Sequence, residues 1–215
     1  VDAGTLVNEL DLPVRQHVEN NEFLAAARNG RLDEKQVQRL VQVEFQTQEA
    51  EFATYPLLAV RFRHEVPAGL FVHVADTILR ARRFLVRDVV GAVGLDVEEL
   101  RRAPLSTATR EAADMFSWMG LHAGAGEAAL VARTDFLLWT AACAALLDVL
   151  PGSGVPEVLI SYLEQYAEPP AAVVDGAVEV VDFALAAGEE ADRVVRSAPG
   201  VEPMLGTLWH FAAAG

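Results

Sequence analysis

Apolar residues recur at three- and four-residue spacing along most of this chain, the period of helices laid against a core. From Leu6 to Asn20 the pattern predicts a first helix interrupted by Pro13. Asn21 to Asn29 predicts a short helix, with Gly30 suited to the left-handed turn that follows a helix. Asp33 stands where it can cap the next helix, which runs toward Thr54 before Tyr55-Pro56 bends or breaks it. Pro56 to His64 continues as a further helical segment. Pro67 fits a first-turn position, and Ala68 to Val93 makes one long helix despite Gly91. Gly94 ends it. Asp96 then starts a short helix, Val97 to Arg102, and Thr107 or Thr109 can cap a helix toward His122. His122 to Gly126 (HAGAG) is the clearest internal loop. Glu127 to Leu150 is almost wholly apolar, the mark of a helix buried nearly all round. Pro151-Gly-Ser-Gly stops it. Pro156 to Tyr166, a long helix from Ala171 to Arg196, and Glu202 to Ala213 complete the chain. No repeat or strand pattern emerges, so the expected fold is all-α: a bundle of about seven or eight helices in a single domain, residues 1–215.

A hydrophobic content of 52% is enough for a substantial core. The net charge of −14 excludes the basic patches that nucleic acid requires and disfavours anionic membrane surfaces. No uninterrupted apolar run approaches the roughly 18–20 residues that cross a bilayer. The first residues lack the basic start and apolar stretch of a secretory signal. Cys143, the single cysteine, sits in an apolar stretch and fits a small core residue. Lys35 is the only lysine beside many arginines. That bias is common in GC-rich bacteria, and a cytoplasmic bacterial protein is expected.

One residue breaks the apolar pattern with a chemical consequence. Glu44 sits eleven residues into the helix that Asp33 begins, in a mostly apolar run. A carboxylate facing a bundle interior is costly, so it is either paired or functional.

The segment Phe23 to Leu32 (FLAAARNGRL), followed by a helix with an acid at Glu44, resembles the opening of the TenA/PqqC family of the haem-oxygenase-like superfamily. Ala92 to Pro104 (AVGLDVEELRRAP) is similar to an inter-helix segment of PqqC-type proteins. Tyr166 before a long helix and Leu208-Trp209 near the end also look like family landmarks. The resemblance spans most of the chain. It implies a haem-oxygenase-like helical bundle around a central pocket for a small-molecule ligand, and a homodimer or larger homo-oligomer.

The family's known sites are not completed here. Where thiaminase-type members carry a nucleophilic cysteine, this chain has Asp135, and a carboxylate cannot replace that thiolate. Thr47 stands where a tyrosine is expected, and Leu205 where a glutamate is expected. Thiaminase activity is therefore not implied. Di-iron oxidases of the superfamily have carboxylates at the positions of Glu44 and Asp135, but their histidines fall at Thr47 and Glu51 here. Their late histidine set has no counterpart. Asp175, Glu179 and Asp182 share its spacing on one helix face and would suit manganese or magnesium, or simply form a solvated acidic face. For haem, His17 lies about two residues out of register, roughly 200° around a helix, and is expected at the surface. PqqC-type proteins bind an acidic ligand with histidine, arginine and tyrosine, for which Arg133 and Tyr166 are the candidates.

The first functional expectation is thus an enzyme acting on a small organic molecule without haem. Glu44, Asp135 and Tyr166 are its catalytic candidates, and Thr47, Arg133 and Trp209 shape the pocket. No cofactor is expected, with a carboxylate-bound metal as the alternative. A binding or accessory protein that has lost catalysis is the second expectation, and a carboxylate-rich metal-dependent oxidase the third. Two questions separate them: whether Glu44 and Asp135 converge on one cavity, and whether arginines such as Arg80, Arg82, Arg83 or Arg87 neutralise them.

Overall fold

In the computed structural model, which describes residues 2–214, helices account for nearly every ordered element, and no strand occurs among the described residues. Two short helices, α1 (Ala3–Asn8) and α2 (Val14–Glu19), stand where one interrupted helix is expected, separated at Pro13. In α3 (Glu22–Arg28), Asn21 Oδ1 accepts the Leu24 amide at 2.9 Å. The helix closes through Gly30, whose φ of 61° lets the Gly30 and Arg31 amides reach the Ala27 and Ala26 carbonyls.

Helix α4 (Glu34–Arg61) opens on a reciprocal cap. Asp33 accepts from the Gln36 amide at 2.8 Å, and the Gln36 side chain accepts from the Asp33 amide at 3.0 Å. Of the bend or break expected at Tyr55-Pro56, the break does not occur, and α4 runs through Pro56. Proline there leaves the carbonyl of Phe52 without its helical donor, on a residue that lies at the exposed side of α4. Tertiary contacts hold the last turns: Thr54 donates to the Phe116 carbonyl at 3.1 Å, and Arg61 donates to the Gly120 and Ala123 carbonyls at 2.7 and 3.0 Å.

Helix α5 (Glu65–Phe84) passes through a π-helical turn (Leu85–Val89) into α6 (Val90–Ala92). The short α7 (Val97–Arg102) is capped by Asp96, as its position predicts. Ser106, rather than Thr107 or Thr109, caps α8 (Thr107–His122). Helix α9 (Ala125–Leu147) starts inside the expected loop, leaving only Ala123 and Gly124 between it and α8. After α10 (Glu157–Glu164), the long helix expected to Arg196 is two: α11 (Ala171–Ala186) and α12 (Ala191–Val195), parted at Gly188 with φ 94°. The break turns Glu189 onto the start of α9, where its carboxylate accepts the Gly126 and Glu127 amides at 3.1 and 3.2 Å. Helix α13 (Val201–Ala213) closes the fold.

Helix α9 is the axis, packed by α2, α10, α11, α12 and α13, while α4 packs on α5, α8 and α13. By length and hydropathy α9 is apolar enough to cross a membrane, more so than the sequence pattern suggests. Its most apolar window is 67% buried by neighbouring helices, the signature of a core helix. Most buried apolar side chains form one core, and a smaller cluster lies beneath α1 and α12.

Glu127, at the first turn of α9, is fully buried, accepts from Ser197 Oγ at 2.5 Å and pairs with half-exposed Arg196 at 3.2 Å. Glu127→Ala removes the acceptor and strands the hydroxyl, so stability falls by about 3 kcal/mol, the lower end for breaking a buried pair because Arg196 regains water. Urea unfolding of the two proteins measures this. A loss under about 1 kcal/mol would mean that the ion pair is held no more firmly than a surface one.

Candidate active site

One face of α4 carries Glu44, Thr47, Gln48, Glu51 and Tyr55 at helical spacing. It meets Asp135 and Trp139, one turn apart on α9, and Tyr162 and Tyr166 at the end of α10. Between them lies a cavity of about 40 Å³. Glu44, Thr47, Glu51, Asp135 and Tyr166 form its polar lining, and Ile78, Phe136, Trp139, Leu205 and Leu208 supply apolar wall.

Glu44 is held on one oxygen. Its Oε1 accepts from the Tyr162 hydroxyl in a short hydrogen bond and from Gln48 Nε2 at 2.9 Å. Gln48 also donates to the Tyr162 oxygen at 2.6 Å, and the Tyr166 hydroxyl lies 3.4 Å from that of Tyr162. Glu51 and Asp135 line the cavity together and act on each other's ionisation, and a hydrogen bond between them requires one proton on the two carboxyl groups. The Thr47 hydroxyl is buried without a partner at the same cavity.

The electrostatics follow from this enclosure. Burial pushes Glu44 up to about 7 despite the opposing hydrogen bonds from Tyr162 and Gln48. Burial, then the charge of Glu44, raises Asp135 to about 7, and its hydrogen bond to Glu51 pulls the other way. Glu51 is driven well above the carboxylate range by burial and by the charges of Asp135 and Glu44. Burial raises the hydroxyls of Tyr55, Tyr162 and Tyr166 as well, so all three stay protonated.

No arginine, lysine or histidine forms a salt bridge with Glu44, Glu51 or Asp135 among the described residues. Of the arginines that could have neutralised them, Arg83 is exposed and the other three are engaged elsewhere. Arg82 pairs with Glu49 at 2.6 Å, Arg80 with Asp76 at 3.0 Å and Arg87 with Asp88 at 2.6 Å.

Of the residues expected at a site, Glu44, Thr47, Asp135 and Tyr166 come together at the cavity. Arg133 does not: two residues from Asp135 is roughly 200° around α9, and the charge that acts on it is that of Asp175 on α11. Trp209 is one layer back, stacked on cavity-lining Trp139 at 4.8 Å between ring centroids. Glu51, Gln48, Tyr162 and Trp139 were not singled out as a site. Their signal is spacing: four and seven residues after Glu44, one turn before Tyr166 and one turn after Asp135.

The other cofactor candidates are displaced. Asp175, Glu179 and Asp182 are exposed on α11, away from the cavity. Thr47 stands where the di-iron centre needs a ligand, and no histidine lines the cavity. Among the described residues no three His, Cys, Asp or Glu side chains are grouped to hold a metal ion, so this donor set does not fit that centre. His17 is buried rather than at the surface because α2 lays it against the core, and it meets Glu202 at 3.3 Å without reaching the cavity.

Fold and site together define an all-helical protein with an acid-lined central cavity. No protein-family model matches the chain, and no curated protein sequence matches it.

Proposed function

We propose that this chain is a TenA/PqqC-like enzyme with the haem-oxygenase-like arrangement, acting by acid–base chemistry on a small organic molecule without haem. One observation carries the reading: Glu44, Glu51 and Asp135 converge on one cavity, and no cation among the described residues pairs with them. Structural acids are paired, whereas acids raised toward neutrality beside a cavity suit proton transfer. Glu44, held by two donors on one oxygen, acts as the base. Glu51 carries the proton of the carboxyl pair and acts as the acid, with Asp135 holding it. Thr47 and Tyr166 offer hydrogen bonds to the ligand. A bacterial cytoplasmic setting and a homodimer accompany the family reading.

The cavity as it stands takes only water-sized occupants. A tightly closed apolar space borders Glu44 and Trp139, walled by Leu40, Leu85, Leu159 and Tyr162. The same small volume favours a second reading, a binding or accessory protein without turnover.

A thermal-shift screen of small organic molecules at neutral pH tests the proposal. Ligands should raise Tm in the wild-type chain and in Asp182→Asn, and lose that effect in Glu44→Gln and Asp135→Asn. Hits that persist in both cavity variants would move the site elsewhere. Turnover of a hit separates the enzyme from the binding protein.

A further inference from the structure

A second concavity opens on another face of α9. It is a groove of about 590 Å³ between the α1–α2 segment, α12 and the start of α13. Its charged lining is of one sign: Glu9, Asp11, Asp192 and Glu202, with no lysine, arginine or histidine among the lining residues. Glu9, Asp11 and Asp192 make no salt bridge among the described residues. Glu202 meets only His17, and burial lowers that imidazole's pKa, which weakens it as a counter-charge.

The floor is apolar, built by Leu6, Leu10, Leu138 and Val195. One polar group is set into it. Thr134 lines the groove, is 1% exposed, and its hydroxyl has no hydrogen-bond partner. A buried hydroxyl left unpaired is costly unless something that enters the groove completes it.

Acids on three separate chain segments, placed around an apolar floor, call for several positive charges joined by hydrocarbon. We propose that the groove binds an aliphatic polyamine. Its ammonium groups sit among Glu9, Asp11, Asp192 and Glu202, its methylenes lie on Leu10 and Val195, and the Thr134 oxygen accepts one N–H. A single ammonium ion would leave most of the carboxylates unanswered, and an uncharged chain would leave them all so. The site is independent of the acid-lined cavity, from which it differs in both walls and ligand.

Isothermal titration of the full chain with spermidine tests this, with hexane-1,6-diol as the uncharged chain. The structure expects saturable binding of spermidine and none of the diol. Glu9→Gln/Asp192→Asn should weaken spermidine about tenfold or more, as loss of charge-assisted hydrogen bonds does. Thr134→Val, which changes no charge, should weaken it several-fold. The control is Glu179→Gln/Asp182→Asn on the exposed face of α11, which removes the same number of charges outside the groove. Equal weakening by both double variants would reduce the effect to the chain's net charge and overturn the proposal. So would equal binding of the diol, or no spermidine binding at millimolar concentration. Circular dichroism checks that each variant keeps its helices.

Discussion

Glu44→Gln is expected to stabilise the protein at pH 8 by about 3 kcal/mol while leaving it unchanged at pH 3.5. Folded Glu44 gives up its proton near 7, against 4.5 for an ordinary glutamate. Below the lower value both folded and unfolded states are protonated, and the buried carboxyl carries no charge. As pH rises between the two values the unfolded chain ionises first, so stability falls by about 1.4 kcal/mol per unit until the folded group ionises too. Stability contributed by the raised group is therefore fully present below the unfolded pKa and lost by pH 8. Glutamine does not ionise and keeps it. Its side-chain oxygen can still accept from Tyr162 and Gln48, and its amide can donate into a cavity rich in carboxylate oxygens. Urea midpoints of both proteins across this pH range give the answer. Parallel curves would show that Glu44 titrates as an exposed acid and would remove the proposed base. The same substitution should abolish ligand binding, so a more stable protein would be a less functional one.

Trp209→Ala should cost about 3–5 kcal/mol, the range for emptying a large aromatic site in a core. Trp209 is 1% exposed, stacks on Trp139 with 13° between ring planes, and has Phe23 at 6.1 Å on another side. Its indole nitrogen has no partner, so removing the ring strands no hydrogen-bonding group. The loss is packing alone. Trp139, which lines the cavity, then loses the ring that holds it flat. Near-ultraviolet circular dichroism should weaken even in molecules that remain folded. Trp209→Phe should recover more than half of the stability. A loss below about 1 kcal/mol would mean that the α13 end of the bundle closes over the vacancy.

Much of the fold was legible residue by residue. Asp33 and Asp96 announce helix starts because their side chains satisfy local amides, and Gly30 announces a stop because its backbone turn strains other residues. These are short-range effects. Where the outcome depended on a neighbour, the pattern misled. Pro56 does not break α4, whose last turns are tied to α8 by Thr54 and Arg61. The run after Ala171 divides because Glu189 is drawn to the first amides of α9.

The site divides in the same way. By itself the sequence determined that the chain is helical, that Glu44 and Asp135 lie in apolar helical runs, and that both would be costly there. Periodicity states which face of its own helix a residue occupies. It does not state which faces meet. Only the tertiary structure decided that Glu44 and Asp135, some ninety residues apart, open on one cavity. It also decided that Glu51 joins them, that Tyr162 rather than an arginine answers Glu44, and that Arg133 turns to α11. Burial and charge proximity belong to the packed assembly of α4, α9 and α10, and together they raise the acids toward neutrality.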